Sequence, residues 1–293
     1  MHKRVEEDSN IDIFENTIKG NFNQKKKPER VLDYLGHLLN NRSIFRFILT
    51  HPDLDHMRGI KDLFNSFKII NLWDTENQKE ISDFKSEKDR EDWEFYQKIR
   101  KSKHSPKVLH LFRDQSGDYW KQDGIRILSP TKDIVNEANK KKDWNMLSYV
   151  LLIEENGLKI VLAGDSTDNT WDDIINYYKD TGCLDTLRNI DVLVAPHHGR
   201  SSNSNYEFLQ IMRPKLTLIG NAQSEYIDYE AYRKHSGKIL TNNQAGNVVI
   251  NKIGNSYYVL ITNRYFAEKN HKFKELYSEK IANRTYFCLW KLK

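Results

Sequence analysis

The chain is predicted to be a mixed α/β protein, with sheets covered by helices, on three observations. Apolar runs of strand length recur along its 293 residues, and amphipathic segments at helical spacing lie between several of them. Asn156-Gly157 separates two alternating apolar runs, which is a strong hairpin signal. Strands, a hairpin and intervening helices in one chain argue for layered sheets and helices.

The elements follow in order. Residues 1–27 are polar and lysine-rich, with little periodicity beyond Ile11-Asp12-Ile13-Phe14, and read as a weakly ordered lead. Residues 28–39 open on Pro28 and place Val31, Leu32, Leu35, Leu38 and Leu39 on one face, as a helix would. Residues 45–50 are short, apolar and rich in aromatic and branched side chains, and read as a buried strand. A helix over 57–67 and a strand over 69–73 come next. Residues 74–108 are dominated by charge, with Trp93, Phe95 and Tyr96 spaced for one helix face, and suggest an insert or lid helix pair or a plain surface segment. Strands are expected at 124–128, 148–154, 158–163, 191–195, 216–220, 238–241, 247–253 and 256–262, with helices at 171–179 and 229–235. This divides the chain into a lead (1–27), a main domain (28–262) and a C-terminal extension (263–293).

Composition narrows the class. The formal net charge is +5, charged residues make up 30% and hydrophobic ones 38%. No apolar stretch approaches the roughly 20 residues of a membrane helix, and no secretory leader is expected. Cys183 and Cys288 are far apart, so they read as thiols of a reducing compartment, and a cytoplasmic location is expected. Lysines gather at 25–27, 101–107 and 140–142, which suits an anionic substrate or a solvated face.

The chemistry concentrates in His51-Pro52-Asp53-Leu54-Asp55-His56. Four metal-ligating side chains stand in one loop at a strand end. Side chains alternate along an extended segment, so His51, Asp53 and Asp55 can project together while His56 opens the next helix. Such a loop can hold two cations. Two further strand ends offer ligands: Gly164-Asp165 after one apolar run, and Pro196-His197-His198-Gly199 after another.

These segments carry a resemblance. Thr50-His51-Pro52-Asp53-Leu54-Asp55-His56, Leu162-Ala163-Gly164-Asp165, Pro196-His197-His198-Gly199-Arg200-Ser201-Ser202 and Asn145-Met146-Leu147-Ser148 resemble the metallo-β-lactamase superfamily, in the branch of ComEC-type competence protein hydrolase domains. The similarity spans roughly residues 28–253 and implies an αββα sandwich with a metal centre at one edge. It implies that His51 and Asp53 bind one metal, that Asp55 and His56 bind another, and that Asp165 bridges them. His197 would complete the second site, with His198 as its alternative or as a proton donor. Asp53 stands where many members have a third histidine, and its hard oxygen moves the preference from pure zinc toward manganese or a mixed site. Two features depart from the pattern. The family's first strands, with their Asp-x-Gly-x-Gly-Asp and Ile-Asp-Gly-Gly elements, have no match in residues 1–27, so the expectation is either that the chain begins late or that a second copy or a protein partner completes that edge. A late histidine of the family is replaced by Asp228.

The function expected is metal-dependent hydrolysis of phosphodiesters, with single-stranded DNA as the leading substrate. Two divalent ions, zinc or manganese, would activate a water. Asp55 would orient it and His198 would protonate the leaving group. Asn145, Ser148, Ser201, Ser202 and Asp228 would contact substrate, and lysines with Trp93, Tyr96 and Trp120 would form a stacking groove unless those aromatics are core. A small nucleotide or other ester as substrate, and a non-catalytic or partner-activated subunit, are the competing readings.

Overall fold

A computed structural model describes residues 22, 24–26, 30–115, 117–202, 205–220 and 222–293. The weakly ordered lead expected over residues 1–27 lies outside the described residues except at 22 and 24–26.

Among the described residues, thirteen strands form three sheets. The first is parallel, in the order β1 (Ile44–Ile48), β2 (Ile69–Trp73), β3 (Lys107–Leu109). The second has six strands in sequence order: β4 (Ile125–Ser129), β5 (Val150–Glu155), β6 (Leu158–Leu162), β7 (Val192–Val194), β8 (Leu216–Ile219) and β9 (Ile239–Thr241). It is antiparallel from β4 to β6 and parallel from β6 to β9. The third is antiparallel, built from β10 (Val248–Ile253), β11 (Ser256–Ile261), β12 (Ser278–Ile281) and β13 (Arg284–Lys291), with β13 between β11 and β12. The helices are α1 (Val31–Leu39), α2 (Leu54–Met57), α3 (Ile60–Ser66), α4 (Glu87–Ile99), α5 (Asp118–Gln122), α6 (Lys132–Lys141), α7 (Asp168–Asp180), α8 (Glu207–Met212), α9 (Tyr229–His235), α10 (Asn242–Ala245) and α11 (Arg264–Asn270).

Alternation along the central strands sets the layers. Leu128, Val150, Leu152, Val161 and Leu193 face Trp171, Ile174 and Tyr178 of α7 and Phe208, Leu209 and Met212 of α8. The neighbours of opposite parity face the smaller sheets. Ile127, Leu151 and Leu162 meet Ile48, Trp73 and Leu109, while Leu158, Val192, Leu216 and Leu240 meet Tyr257, Val259, Leu289 and Trp290. On the far side of the first sheet, Leu49 and Leu72 pack with Met57, Ile60, Trp93, Tyr96 and Ile99. Each such large apolar side chain contributes about 1.5–3 kcal/mol by leaving water. The molecule is therefore a mixed α/β structure in which one six-stranded sheet has helices on one face and two smaller sheets on the other.

Several expectations shift. The hairpin falls at Asn156-Gly157, where β5 pairs antiparallel with β6 and both turn residues take positive φ, the conformation that a primed two-residue turn requires. The helix expected over 57–67 is two pieces, because Arg58 takes an extended ψ of 125° and ends α2, so His56 lies inside the first piece. The apolar face of α1 is not buried: Val31 is 63% and Leu38 41% exposed. In place of a helix pair, 74–108 contains the single helix α4, started by the Ser86 side chain accepting from Asp89 N, and then β3. Residues 263–293 supply α11, β12 and β13, and Leu289 and Trp290 join the core under the central sheet. No helix among the described residues is long and apolar enough to cross a membrane, and Cys183 and Cys288 are both free thiols.

Candidate metal centre

Three strand ends converge on one carboxylate. β6 and β7 run parallel in register, with Leu162 opposite Val194, so the third residues beyond them, Asp165 and His197, leave the sheet side by side. A hydrogen bond of 3.0 Å from His197 N to Gly164 O fixes that approach. The loop after β1 arrives from the other sheet, where Thr50 O accepts from Tyr149 N at 2.9 Å, just before β5. Gly164 is required at this junction. Its φ is +53°, and a Cβ there would lie 3.1 Å from Cβ of both Ser148 and Thr50.

Around Asp165 stand four imidazoles. Asp165 Oδ1 lies 3.2 Å from His56 Nε2, and Oδ2 lies 4.0 Å from His51 Nε2, 3.8 Å from His197 Nε2 and 3.6 Å from His198 Nε2. Asp55 Oδ2 is 3.8 Å from His56 Nε2, and Asp53 Oδ2 is 4.0 Å from His51 Nε2. Among the described residues, two groups are tight enough to hold an ion, each with ligand atoms within 4.8 Å of one another: His51, His56 and Asp165, and Asp55, His56 and His198. They share His56. Asp53 and His197 belong to neither group.

The donor set fits a metal ion. Nε2 of His51 and Nε2 of His56 are buried and make no hydrogen bond, while His56 Nε2 keeps an ion-pair contact with Asp165 Oδ1. Buried polar nitrogens are rarely left so, unless another group such as an ion satisfies them. His51 is 1% exposed, and the tautomer that donates Nδ1–H to Thr50 Oγ1 at 3.1 Å leaves the Nε2 lone pair free as a ligand. Neutral imidazole is the ligating form. Burial, reinforced by the charge of His56, lowers the His51 pKa to about 4, and burial also lowers that of His197. Burial works the same way on His56, but contact with Asp165 outweighs it and raises that group. Asp165 is pushed up by burial yet ends below the usual carboxylate range, because His56, His51 and His198 favour its anion.

Backbone strain supports the arrangement. His197 (φ 48°, ψ 43°) and His198 (φ 57°, ψ 21°) are both left-handed, at a cost of roughly 1–3 kcal/mol each, as is common where a site dictates geometry.

The remaining residues singled out in the sequence lie as follows. Ser148 is fully buried, and its Oγ accepts from Asp165 N at 3.2 Å; its own N–H bonds Asn145 O. Ser201 and Ser202 line a cavity of about 140 Å³ shared with His197, Arg200, Asp168 and Tyr206. Ser202 Oγ donates to Asp168 Oδ1 at 2.5 Å. Asp228 caps α9 through Ala231 N and accepts from Tyr206 OH at 2.7 Å. Trp93 and Tyr96 are 6% and 0% exposed, so they are core and offer no stacking face; Trp120 packs edge-on against Trp73. Lys79 carries no signal of its own in the sequence, because it lies in a charge-rich stretch where one lysine looks like another. Its Nζ reaches Asp53 Oδ1 at 2.6 Å.

Fold and geometry together define a mixed α/β protein with a His/Asp cluster that could hold a metal ion. No protein-family model matches the chain. Over 211 residues, 69% of its length, it is 24% identical to ComE operon protein 3 of Bacillus subtilis (strain 168). The alignment covers 24% of that relative, so this chain spans about a quarter of its length.

Proposed function

We propose that this protein is a metal-dependent hydrolase of phosphodiesters, with DNA as its leading substrate, on a metallo-β-lactamase-like αββα sandwich. The observation that carries the reading is the convergence on Asp165 of four imidazoles from two other strand ends, two of them with buried Nε2 atoms that make no hydrogen bond. The layering of helices, central sheet, smaller sheets and helices supports the sandwich. The distant likeness to a ComE operon protein, and the motif resemblance to competence hydrolase domains, support a nucleic acid as substrate.

His51, His56 and Asp165, with Asp55, would hold the ion, which when bound would supply a water of lowered pKa and stabilise charge on phosphate oxygens. Asp55, exposed at the rim, orients the attacking water. His198, half-buried beside Asp165, delivers a proton to the leaving alkoxide. Ser148 holds Asp165 from behind, and Ser201, Ser202 and Arg200 face the phosphate from the adjoining cavity.

The small cavity beside His197, with the burial of Trp93 and Tyr96, favours a second reading in which the substrate is a small nucleotide ester. A panel of single-stranded DNA, duplex DNA, RNA and cyclic nucleotides with manganese or zinc separates the two. Hydrolysis that survived in a His51→Ala, Asp55→Ala double variant would overturn both.

A further inference from the structure

The segment after β2 leads away from the sheet through a buried polar network. Asp74, 1% exposed, accepts from Tyr96 OH at 2.7 Å and pairs with Arg100 Nε at 3.0 Å. The same guanidinium donates to Thr75 O, Asn77 O and Asn77 Oδ1, each at 3.1 Å. Asn77 Nδ2 returns to Tyr96 OH at 2.9 Å, and Asn139 bonds both Gln78 N and Glu76 O. Residues 74–78 are thus pinned to α4 and α6, and Lys79, whose own N–H reaches Asn77 Oδ1 at 3.3 Å, follows directly. Its side chain is 14% exposed, and its ammonium lies against Asp53 Oδ1 at 2.6 Å. A solvated surface lysine would be neither so covered nor so anchored.

We propose that Lys79 is a built-in cation of this centre: the site takes one divalent ion, and the Lys79 ammonium holds Asp53 where a second ion would otherwise bind. The inference rests on the metal-centre reading above. Two physical arguments carry it. The two groups of ligand atoms share His56, and a neutral imidazole has one lone pair for a metal, so the two groups cannot both be filled at once. Charge agrees with that count. Asp53, Asp55 and Asp165 bring three negative charges, which one divalent ion and the Lys79 ammonium already neutralise. Asp53 lies outside both groups, with one oxygen on Lys79 and the other facing His51. Lys79 is a positioning residue by this account, since it acts through Asp53.

The test is a metal count. Protein stripped with chelator, reloaded with manganese and desalted is analysed for metal per chain, as wild type, Lys79→Met and Lys79→Arg, with manganese EPR as a second readout. Expected are about one ion in wild type and in Lys79→Arg, with an uncoupled six-line spectrum, and about two ions in Lys79→Met with an exchange-coupled signal. About two ions in wild type would overturn the inference and leave the hydrolase reading standing. So would about one ion in a folded Lys79→Met, or about two in Lys79→Arg. Should Lys79→Met not fold, the wild-type and Lys79→Arg counts decide. No ion in any of them would overturn the metal-centre reading itself, and the inference with it.

Discussion

Gly220 and His198 are packed so closely that a methyl group on Gly220 would stand 2.8 Å from the imidazole Nδ1. Gly220 directly follows β8, so the end of a neighbouring strand sets the floor under the histidine assigned to proton delivery. Gly220→Ala should turn His198 away from Asp165 and lower hydrolysis by about 100-fold, the range of a lost general acid. Its melting temperature should stay close to wild type, since the change moves one half-buried ring. Steady-state rates beside thermal melts check this, and unchanged rates would remove His198 from the reaction.

Metal binding should be visible in stability. The buried Nε2 atoms of His51 and His56 make no hydrogen bond, so an ion that satisfies them favours the folded chain. At a hundred-fold excess over its dissociation constant the ion adds about 2.7 kcal/mol, which for a chain of this size is roughly 5 °C in Tm. Melting with manganese against melting with chelator measures the shift. Asp165→Asn should abolish it, since Asp165 lies beside all four imidazoles.

Local signals were legible where one element decided them. The Asn156-Gly157 hairpin, the boundaries of β2 and the whole of α9 follow from turn chemistry and periodicity. The ligand clusters could be read because each follows a strand, and strand ends in a layered α/β fold meet at one edge. What could not be read depends on contacts between distant segments. Trp93 and Tyr96 look the same in sequence whether they line a groove or fill a core, and only the packing of α4 on the first sheet settles it. The exposed face of α1 shows the reverse, an apolar pattern with few neighbours to bury it among the described residues. Lys79 gains its meaning from an aspartate 26 positions earlier. No spacing rule reaches that far.

Acid stability should depend on Asp191. This carboxylate, fully buried at the start of β7, accepts from Lys159 N at 2.9 Å and pairs with Lys215 at 2.8 Å and Lys293 at 3.1 Å. Burial pushes its pKa up, but those partners together hold it below the usual carboxylate range. A depressed folded pKa gives stability that is complete above the unfolded value, near pH 4, and is lost as pH falls through the folded value. Asp191→Asn should therefore cost about 2 kcal/mol at pH 7 and progressively less below pH 4. Urea titrations at pH 7 and pH 3 measure the difference, and a constant cost across that range would contradict the assignment.

Asp228 stands where a substrate contact was expected, and its hydrogen bonds define a different test. One oxygen caps α9 at Ala231 N, at 3.0 Å, and the other takes the Tyr206 hydroxyl, which in turn accepts from Ser202 N at 2.9 Å. Burial and this carboxylate push the Tyr206 pKa up to about 12, so the phenol remains a donor throughout the working pH range. The aspartate thus holds the loop that carries Ser201 and Ser202 without entering the cavity itself. Asp228→Ala should cost about 1–2 kcal/mol through the lost cap and the freed hydroxyl, while metal content stays at the wild-type level. Asp228→Asn keeps an acceptor for the helix and should recover most of that loss. An Asp228→Ala protein with wild-type stability but a raised KM would show instead that the carboxylate touches substrate.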